Sequence, residues 1–238
     1  MTDTTPLPAL AEDWTTALAI VAHPDDMEYG AASAVARWTR QGKRITYLLV
    51  TRGEAGIATM PPAEVGPLRV AEQVAGCAVV GVDDVRFLDH PDGLVEPGLR
   101  LRRDLAAAIR DVRPDVVLTI NHRDSWGGPS WNHVDHRVVG TAVLDAVRDA
   151  ANPWVFDDAG PAWDGVRFVA VNGSPQPTHH VDVTDTIHLG VESLRCHRVY
   201  LEHLGGDMAD PDTFLRAGAA EAGRGVGVEY ATVYEVVG

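Results

Sequence analysis

Residues 22–30 read Ala-His-Pro-Asp-Asp-Met-Glu-Tyr-Gly, and they hold four side chains that can bind a metal ion or carry a proton. These four side chains are His23, Asp25, Asp26 and Glu28. They follow an apolar run at residues 17–22, which predicts a buried strand. Pro24 fixes its own φ and favours an extended conformation at His23, so the chain can turn and bring His23 and Asp26 onto one ion. The alternative is an acidic turn in which an aspartate caps the next helix.

A second cluster, His-Val-Asp-His, occupies residues 133–136. If these residues open a helix, His133 and His136 lie three positions apart and share one face. His23, Asp26 and His136 then form a set of two imidazoles and one carboxylate, which suits zinc and leaves a coordination position for water. A single histidine pair is more often structural than metal-binding. The presence of both clusters, each after an apolar strand, favours a metal site.

The chain resembles the PIG-L/LmbE-like family of zinc-dependent N-acetylglucosaminyl de-N-acetylases. The resemblance rests on residues 22–30, on Thr-Arg-Gly-Glu-Ala-Gly at residues 51–56 and on residues 133–136. Weaker matches are Asp92-Gly93 and Val-Asp-Val at residues 181–183. Near the C-terminus the family often has His-x-Ser-Gln, whereas this chain has His-Arg-Val-Tyr at residues 197–200. That difference concerns the C-terminal wall of the pocket and not the metal centre.

The resemblance implies a deacetylase, an amidohydrolase that removes an N-acetyl or other N-acyl group from an N-acetylglucosamine-type or other amide substrate. Zinc is the implied cofactor, and iron(II) is compatible with the same ligands. His23, Asp26 and His136 are expected to hold the metal, and a zinc-activated water to attack the amide. Asp25, which adjoins a ligand, is the expected general base, with an N-cap or loop hydrogen bond as the alternative.

Two residues of the second cluster receive catalytic roles in this interpretation. His133 is expected to stabilise the oxyanion or to protonate the leaving amine. Asp135 is expected to orient and charge a neighbouring imidazole, and the alternative is a carboxylate that only favours the start of the helix.

Three further residues are expected to contact the substrate, namely Arg52, Asp92 and Trp131. For Arg52 the alternative is a salt bridge to Glu54 or Asp92. Asp92 could instead cap a turn with Gly93. Trp131, like Trp126, could stack on a sugar ring or fill space under its loop.

The sequence leaves two further functions open. One is a metal-dependent hydrolase of another bond, and the second is a non-catalytic metal- or sugar-binding protein of the same fold. A nucleotide-binding module is disfavoured, because it would need a glycine-rich turn after the first strand. His-Pro-Asp-Asp stands there instead and would repel a pyrophosphate.

Composition narrows the class of protein. A chain of 238 residues is expected to form a single domain over residues 1–238, with a flexible N-terminus at residues 1–15. The net charge of −14 argues against binding of nucleic acid or an anionic membrane. Two distant cysteines, the lack of a signal peptide and the lack of a transmembrane segment predict a cytoplasmic protein. A small-molecule substrate is the expected partner, and a homo-oligomer is compatible with the sequence.

Apolar strands alternate with helices along the chain, which predicts an α/β, Rossmann-like fold. Its sheet is expected to be mainly parallel, with helices on both faces and the active site at the carboxyl ends of the strands. The predicted strands are residues 17–22, 44–51, 85–88, 115–120, 166–171 and 228–237. The predicted helices are residues 30–41, 67–80, 99–112, 133–150, 184–203 and 210–222.

Overall fold

A single sheet of seven strands runs through the computed structural model, which describes residues 6–238. The strands are β1 (Thr16–Val21), β2 (Arg44–Leu49), β3 (Asp84–Phe87), β4 (Val116–Ile120), β5 (Phe168–Asn172), β6 (His179–Asp182) and β7 (Ala231–Val237). Their order is β3-β2-β1-β4-β5-β7-β6. The first five strands in this order are parallel, and β7 is antiparallel to both of its neighbours. The predicted α/β class with a mainly parallel sheet is therefore confirmed.

Seven α-helices cover the sheet within the described residues. They are α1 (Ala32–Arg40), α2 (Pro62–Val79), α3 (Leu99–Val112), α4 (Val134–Ala151), α5 (Ile187–Arg195), α6 (Arg198–Leu204) and α7 (Pro211–Val226), with a short 3-10 turn at Asp207–Ala209. In this part of the chain, no helix has both the length and the apolar character that a membrane span requires.

The side chains of β1 alternate between two apolar cores, as those of a strand buried on both faces must. Ala17, Ala19 and Val21 pack in one core with side chains of α1 and α2. Leu18 and Ile20 pack in the other core with side chains of α3 and α4. The helices therefore lie on both faces, and the carboxyl ends of β3, β2, β1, β4 and β5 lie along one edge. Ligands of open parallel sheets bind at this edge.

Two predicted helices differ from the structure. α2 begins at Pro62, not at residue 67, and Pro67 lies inside the helix. The predicted helix over residues 184–203 is two helices, because the chain leaves helical geometry at His197, where ψ is 45°. His197 is fully buried. The sequence analysis also missed β6, which pairs antiparallel with β7.

The predicted flexible N-terminus over residues 1–15 lies partly outside the described residues. In the described part, Leu10 and Trp14 are buried in the core, and Trp14 packs edge-on against Trp38 with ring centroids 5.2 Å apart. The backbone N–H of Leu10 donates to the carbonyl of His180. These residues are therefore a packed part of the fold, because burial of Leu10 and Trp14 removes apolar surface from water.

Candidate metal and catalytic site

The end of β1 turns sharply at His-Pro-Asp-Asp. Asp25 has a φ of 80°, a left-handed conformation that aspartate adopts more readily than most residues. The Asp26 carboxylate stabilises the turn, because its Oδ2 accepts a hydrogen bond of 2.8 Å from the backbone N–H of His23. The other oxygen of Asp26 is left to face the histidine rings.

Three side-chain atoms converge beyond this turn. His23 Nδ1 lies 3.1 Å from His136 Nε2, and His136 Nε2 lies 3.1 Å from Asp26 Oδ1. His23 Nδ1 lies 3.7 Å from Asp26 Oδ1. Two ligands bound tetrahedrally to zinc at their usual bond lengths are about 3.3 Å apart. The spacing of these three atoms therefore fits the ligands of one ion.

The other nitrogen of each ring has an acceptor of its own. His23 Nε2 lies 3.0 Å from Asp92 Oδ1 and 3.2 Å from Asp135 Oδ2. His136 Nδ1 lies 3.1 Å from Asn132 Oδ1. These acceptors place the ring protons on His23 Nε2 and His136 Nδ1, as in metal sites whose histidines are oriented by carboxylates or carbonyls.

With both rings neutral, His23 Nδ1 and His136 Nε2 face each other and Asp26 as lone pairs, with no proton between them. Lone pairs at this distance repel unless a proton or a metal cation lies among them, and the three donors together fit a metal ion. Charge favours a cation as well. Although burial disfavours a charged ring, Asp26, Asp135 and Asp92 raise the pKa of His23 well above its ordinary value. Burial likewise opposes ionisation of Asp26, but His136 and His23 hold the pKa of that carboxyl below its usual range.

Arg69 on α2 is a site residue that the sequence analysis missed. It is 3% exposed, and its Nη2 donates to Asp25 Oδ2 at 2.7 Å and to the carbonyl of Pro24 at 2.6 Å. Its guanidinium stacks on the ring of Tyr200, 4.0 Å from the centroid. Despite this cation, burial raises the pKa of Asp25 to about 7. A buried arginine inside a helix has no local signal for this role, because its partners at residues 24 and 25 are distant in sequence.

His133 and Asp135 lie at the start of α4, as predicted. His133 is the N-cap, and its Nδ1 accepts a hydrogen bond of 3.2 Å from the Asp135 backbone N–H. The proton of a neutral His133 ring is therefore on Nε2. Burial and the neighbouring rings of His23 and His136 lower the pKa of His133, which favours this neutral form. A ring nitrogen of His133 also lies within 4.8 Å of ring nitrogens of His23 and His136.

Asp135 is fully buried and contacts His23 from behind. It also accepts hydrogen bonds from the backbone N–H groups of Gly93, at 2.7 Å, and Val95, at 3.2 Å. These bonds join the segment after β3 to the start of α4. The imidazole that Asp135 orients is therefore that of His23.

The structure gives the three predicted substrate residues different surroundings. Both oxygens of Asp92 are used within the protein, one by His23 and one by the backbone N–H of Ala55. The Arg52 guanidinium donates to the Leu88 carbonyl and to Asp89 Oδ1. Its salt bridge is therefore with Asp89 and not with Glu54 or Asp92, the two partners considered from the sequence. Asp92 is thus a partner of the metal-side histidine, and its placement does not favour a sugar contact.

Trp131 is 67% exposed and stacks with Arg137, whose guanidinium lies 5.0 Å from the ring centroid. Trp126 is the tryptophan in contact with the cluster, because its ring lies edge-on to His136 with centroids 5.7 Å apart. Both belong to the loop at residues 123–132, named here the tryptophan loop. Asn132 links this loop to the cluster, since its Nδ2 donates to the carbonyls of Asn121 and Arg123.

A model of the family described as PIG-L, GlcNAc-PI de-N-acetylase, matches residues 18–147, which include most of β1 and α4 and all three converging side chains. The chain belongs to this family. The resemblance predicted from the sequence is therefore confirmed.

Named relatives are deacetylases. The chain is 27% identical to diacetylchitobiose deacetylase of Thermococcus kodakarensis over 90% of this chain and 80% of that protein. It is 32% identical to 1D-myo-inositol 2-acetamido-2-deoxy-alpha-D-glucopyranoside deacetylase of Kineococcus radiotolerans, over 76% of this chain and 67% of that protein. Metal-dependent deacetylation is thus the chemistry of the family.

Solved structures of the same fold include N,N'-diacetylchitobiose deacetylase from Pyrococcus horikoshii. It aligns with a TM-score of 0.85 and 24% identity, over 95% of this chain and 85% of that chain. A 4-carboxy-2-hydroxymuconate hydratase from Pseudomonas putida aligns with a TM-score of 0.76 and 21% identity, over 94% of this chain and 96% of that chain. At these identities the likeness concerns the fold, and the hydratase illustrates that one fold supports more than one reaction.

Proposed function

We propose that this protein is a zinc-dependent deacetylase that removes the N-acetyl group of an N-acetylated amino-sugar substrate. The convergence of His23 Nδ1, Asp26 Oδ1 and His136 Nε2 beside Asp25 is the observation that supports it most strongly. These three atoms would hold the metal. When bound, zinc supplies a water of near-neutral pKa and polarises the amide carbonyl.

Asp25 is the general base in this proposal. Oδ2 is bound to Arg69, and among residues 6–238 no group donates to Oδ1, which leaves that oxygen to take a proton. Burial raises the pKa of this carboxyl to about 7, the range in which a base works best at neutral pH. Arg69 limits the rise, because its charge favours the ionised form.

His133 would stabilise the negative charge that develops on the amide oxygen. Its Nδ1 is occupied by the Asp135 backbone N–H, so Nε2 carries the proton and is the donor. A neutral ring donates without the repulsion that an imidazolium would meet from a nearby cation. Such a preorganised donor is typically worth about 10²–10³ in rate.

Asp92, Asp135 and Asn132 would act through the histidines. Each fixes the ring proton on the side away from the metal, and this tautomer leaves a lone pair for coordination. Asp135 is therefore proposed as a positioning residue, which is the imidazole-orienting role expected for it from the sequence.

The substrate is proposed to be a small N-acetylated glucosamine conjugate, because the named relatives of this chain act on such compounds. Trp126 and Trp131 offer ring faces for a sugar or for the group attached to it. Arg52 is half exposed near the end of β2 and could bind a substrate hydroxyl if it left Asp89.

Acetate release from N-acetylglucosamine and N,N'-diacetylchitobiose tests the function directly. The metal is removed with a chelator, and activity is measured after addition of Zn²⁺ or Fe²⁺ in equal amounts. We expect one equivalent of metal per chain by elemental analysis and acetate release only after metal addition. Stoichiometric metal without release of acetate from any N-acetylated sugar would contradict the deacetylase and favour a reaction of another bond.

A further inference from the structure

Gln73 lies on α2, one turn after Arg69, so the two side chains share one face of the helix. It is 1% exposed. Arg69 holds the Asp25 carboxylate, and Gln73 Oε1 accepts a hydrogen bond of 2.8 Å from the Asp25 backbone N–H. One helix face therefore contacts Asp25 at both its side chain and its backbone.

The partners of Gln73 fix the orientation of its amide. A backbone N–H can only donate, so the atom that faces Asp25 is the carbonyl oxygen. The amide nitrogen then points to the other side, where it lies 3.0 Å from Glu28 Oε1 and 3.2 Å from Cys77 Sγ. Both of these atoms can accept. A hydrocarbon side chain of similar shape would leave the buried Asp25 N–H without a partner.

That N–H belongs to a residue in an unfavourable conformation. Asp25 has a φ of 80°, in the left-handed region that residues other than glycine adopt only at an energetic cost, although aspartate adopts it more readily than most. The Asp25 carbonyl is also bound, since it accepts from the backbone N–H of Tyr29 at 3.0 Å. Loss of the bond from the N–H would leave the peptide between Pro24 and Asp25 held only at its carbonyl, by Arg69, so the peptide and the carboxylate that follows it could tilt about that contact.

We propose that Gln73 is a positioning residue that holds Asp25 in its left-handed conformation and so aims its carboxylate at the metal site. The inference rests on the proposed role of Asp25 as the general base. Arg69 binds one carboxylate oxygen and the Pro24 carbonyl, and Gln73 binds the N–H of the same peptide. With a contact at each end, the peptide plane is fixed, and so is the direction in which the Asp25 side chain leaves the backbone.

Gln73→Leu tests the proposal in the full-length, metal-loaded protein. It keeps the approximate size of the side chain and removes the acceptor. We expect kcat for acetate release to fall by about 10–100-fold, because a displacement of about 1 Å at the reacting groups can cost 10²-fold. KM and the metal content should change by less than about two-fold, since Gln73 touches neither substrate nor ligand. Gln73→Met, which also lacks an acceptor, replaces Gln73→Leu if that variant does not fold.

Ser193→Ala is the matched control. It removes another fully buried hydrogen bond to α2, from Ser193 Oγ to the Gly76 carbonyl, and does not touch Asp25. We expect its kcat to stay within about two-fold of wild type, because this buried hydrogen bond contributes to stability but does not contact Asp25. An equal loss of kcat in both variants would overturn the proposal in favour of general destabilisation.

Hydrogen exchange at the Asp25 amide gives a readout that does not depend on activity. The exchange rate should rise at least about ten-fold in Gln73→Leu and not in Ser193→Ala, because only the first removes the acceptor. Unchanged exchange together with unchanged kcat would refute the role of Gln73. If wild-type protein releases no acetate, the proposed function fails, and the exchange rates still decide whether Gln73 holds the backbone of Asp25.

Discussion

The metal cluster and the tryptophan loop lie side by side but are built in opposite ways. In the cluster of His23, Asp26 and His136, the side chains are at most 14% exposed, and each histidine has a carboxylate or carbonyl partner on the side away from the point where the three converge. In the loop, Trp131 is 67% exposed and Trp126 is 39% exposed. A buried network tolerates few changes, whereas exposed rings can vary without loss of the fold. Chemistry is therefore expected to reside in the cluster, and choice of substrate in the loop.

Removal of a proposed metal ligand should have the largest effect on metal content and activity. His136→Ala deletes one of the three converging atoms, so metal content should fall close to zero and activity to background. Elemental analysis and acetate release measure the two quantities. His188→Ala, an exposed histidine on α5, is the control and should keep both. Near-stoichiometric metal in His136→Ala would show that His136 is not a ligand.

Removal of the base should affect the reaction and spare the metal. Asp25→Asn keeps the shape of the side chain but cannot accept a proton, so kcat should fall by about 10²–10⁴ with near-normal metal content. The ionised form is the active one, and burial raises the pKa of Asp25 to about 7. Wild-type kcat/KM should therefore rise with pH up to the neutral range, and Asp25→Asn should flatten that limb. Loss of metal in this variant would make Asp25 a ligand.

Asn132 contacts both the cluster and the tryptophan loop, so substitutions at this residue can distinguish the contribution of each contact. Its Oδ1 accepts from His136, while its Nδ2 donates to the carbonyl of Asn121 and to that of Arg123 in the tryptophan loop. Asn132→Ala should lower metal affinity or activity by about 10–100-fold, the usual effect of losing an outer partner of a metal-binding histidine. Asn132→Asp keeps the acceptor and loses the donor, so metal affinity should be closer to wild type. Competition with a chelator of known affinity measures the difference.

Changes in the loop should alter substrate preference and leave the metal in place. Trp126→Ala and Trp131→Ala should each raise KM for a large N-acetylated substrate by up to about ten-fold, since an aromatic contact contributes about 0.5–1.5 kcal/mol. KM for N-acetylglucosamine itself should change less. Equal changes in kcat/KM for large and small substrates would mean that the rings are structural.

Substitution of Glu28 should have the smallest effect on activity among these variants. It should have a clear effect on the pH dependence of stability. Burial raises the pKa of this carboxyl to about 8 from an ordinary value of 4.5. Between these values the folded protein keeps a proton that the unfolded chain releases, so the free energy of unfolding should fall as pH rises, by up to about 1.4 kcal/mol per unit. Glu28→Gln should reduce this slope in urea unfolding at pH 5 and 8. An unchanged slope would mean that Glu28 is ionised in the fold.

The sequence was most informative where contacts are local. His23 and Asp26 are three residues apart in one turn, and His136 follows at a helix start, so their types and spacing were enough to predict that they meet. Arg69 and Gln73 were missed because they reach Asp25 from a helix more than 40 residues away. Arg52 was predicted to contact the substrate because it lies in a motif, yet its guanidinium binds Asp89.

The fold was predictable in class but not in every element. Alternating apolar strands and helices predicted the parallel part of the sheet, since each such strand is apolar along its whole length. The strand β6 has only one fully buried residue, Val181, and two histidines, so it carries no apolar pattern. The division between α5 and α6 follows from the burial of His197, which helical periodicity does not reveal. Pro67 was taken as a helix start, although the helix continues through it.

The pairing of residues 7–10 with β6 has a consequence for self-association. β6 is the last strand of the sheet, and an uncovered last strand presents unpaired backbone groups to other chains. Here the backbone of His180 exchanges hydrogen bonds with Pro8 and Leu10, and its ring contacts the Leu7 carbonyl. This short stretch thus acts as a cover for the strand. A protease cut just after it would leave the catalytic cluster untouched and yet expose an edge at which molecules can aggregate.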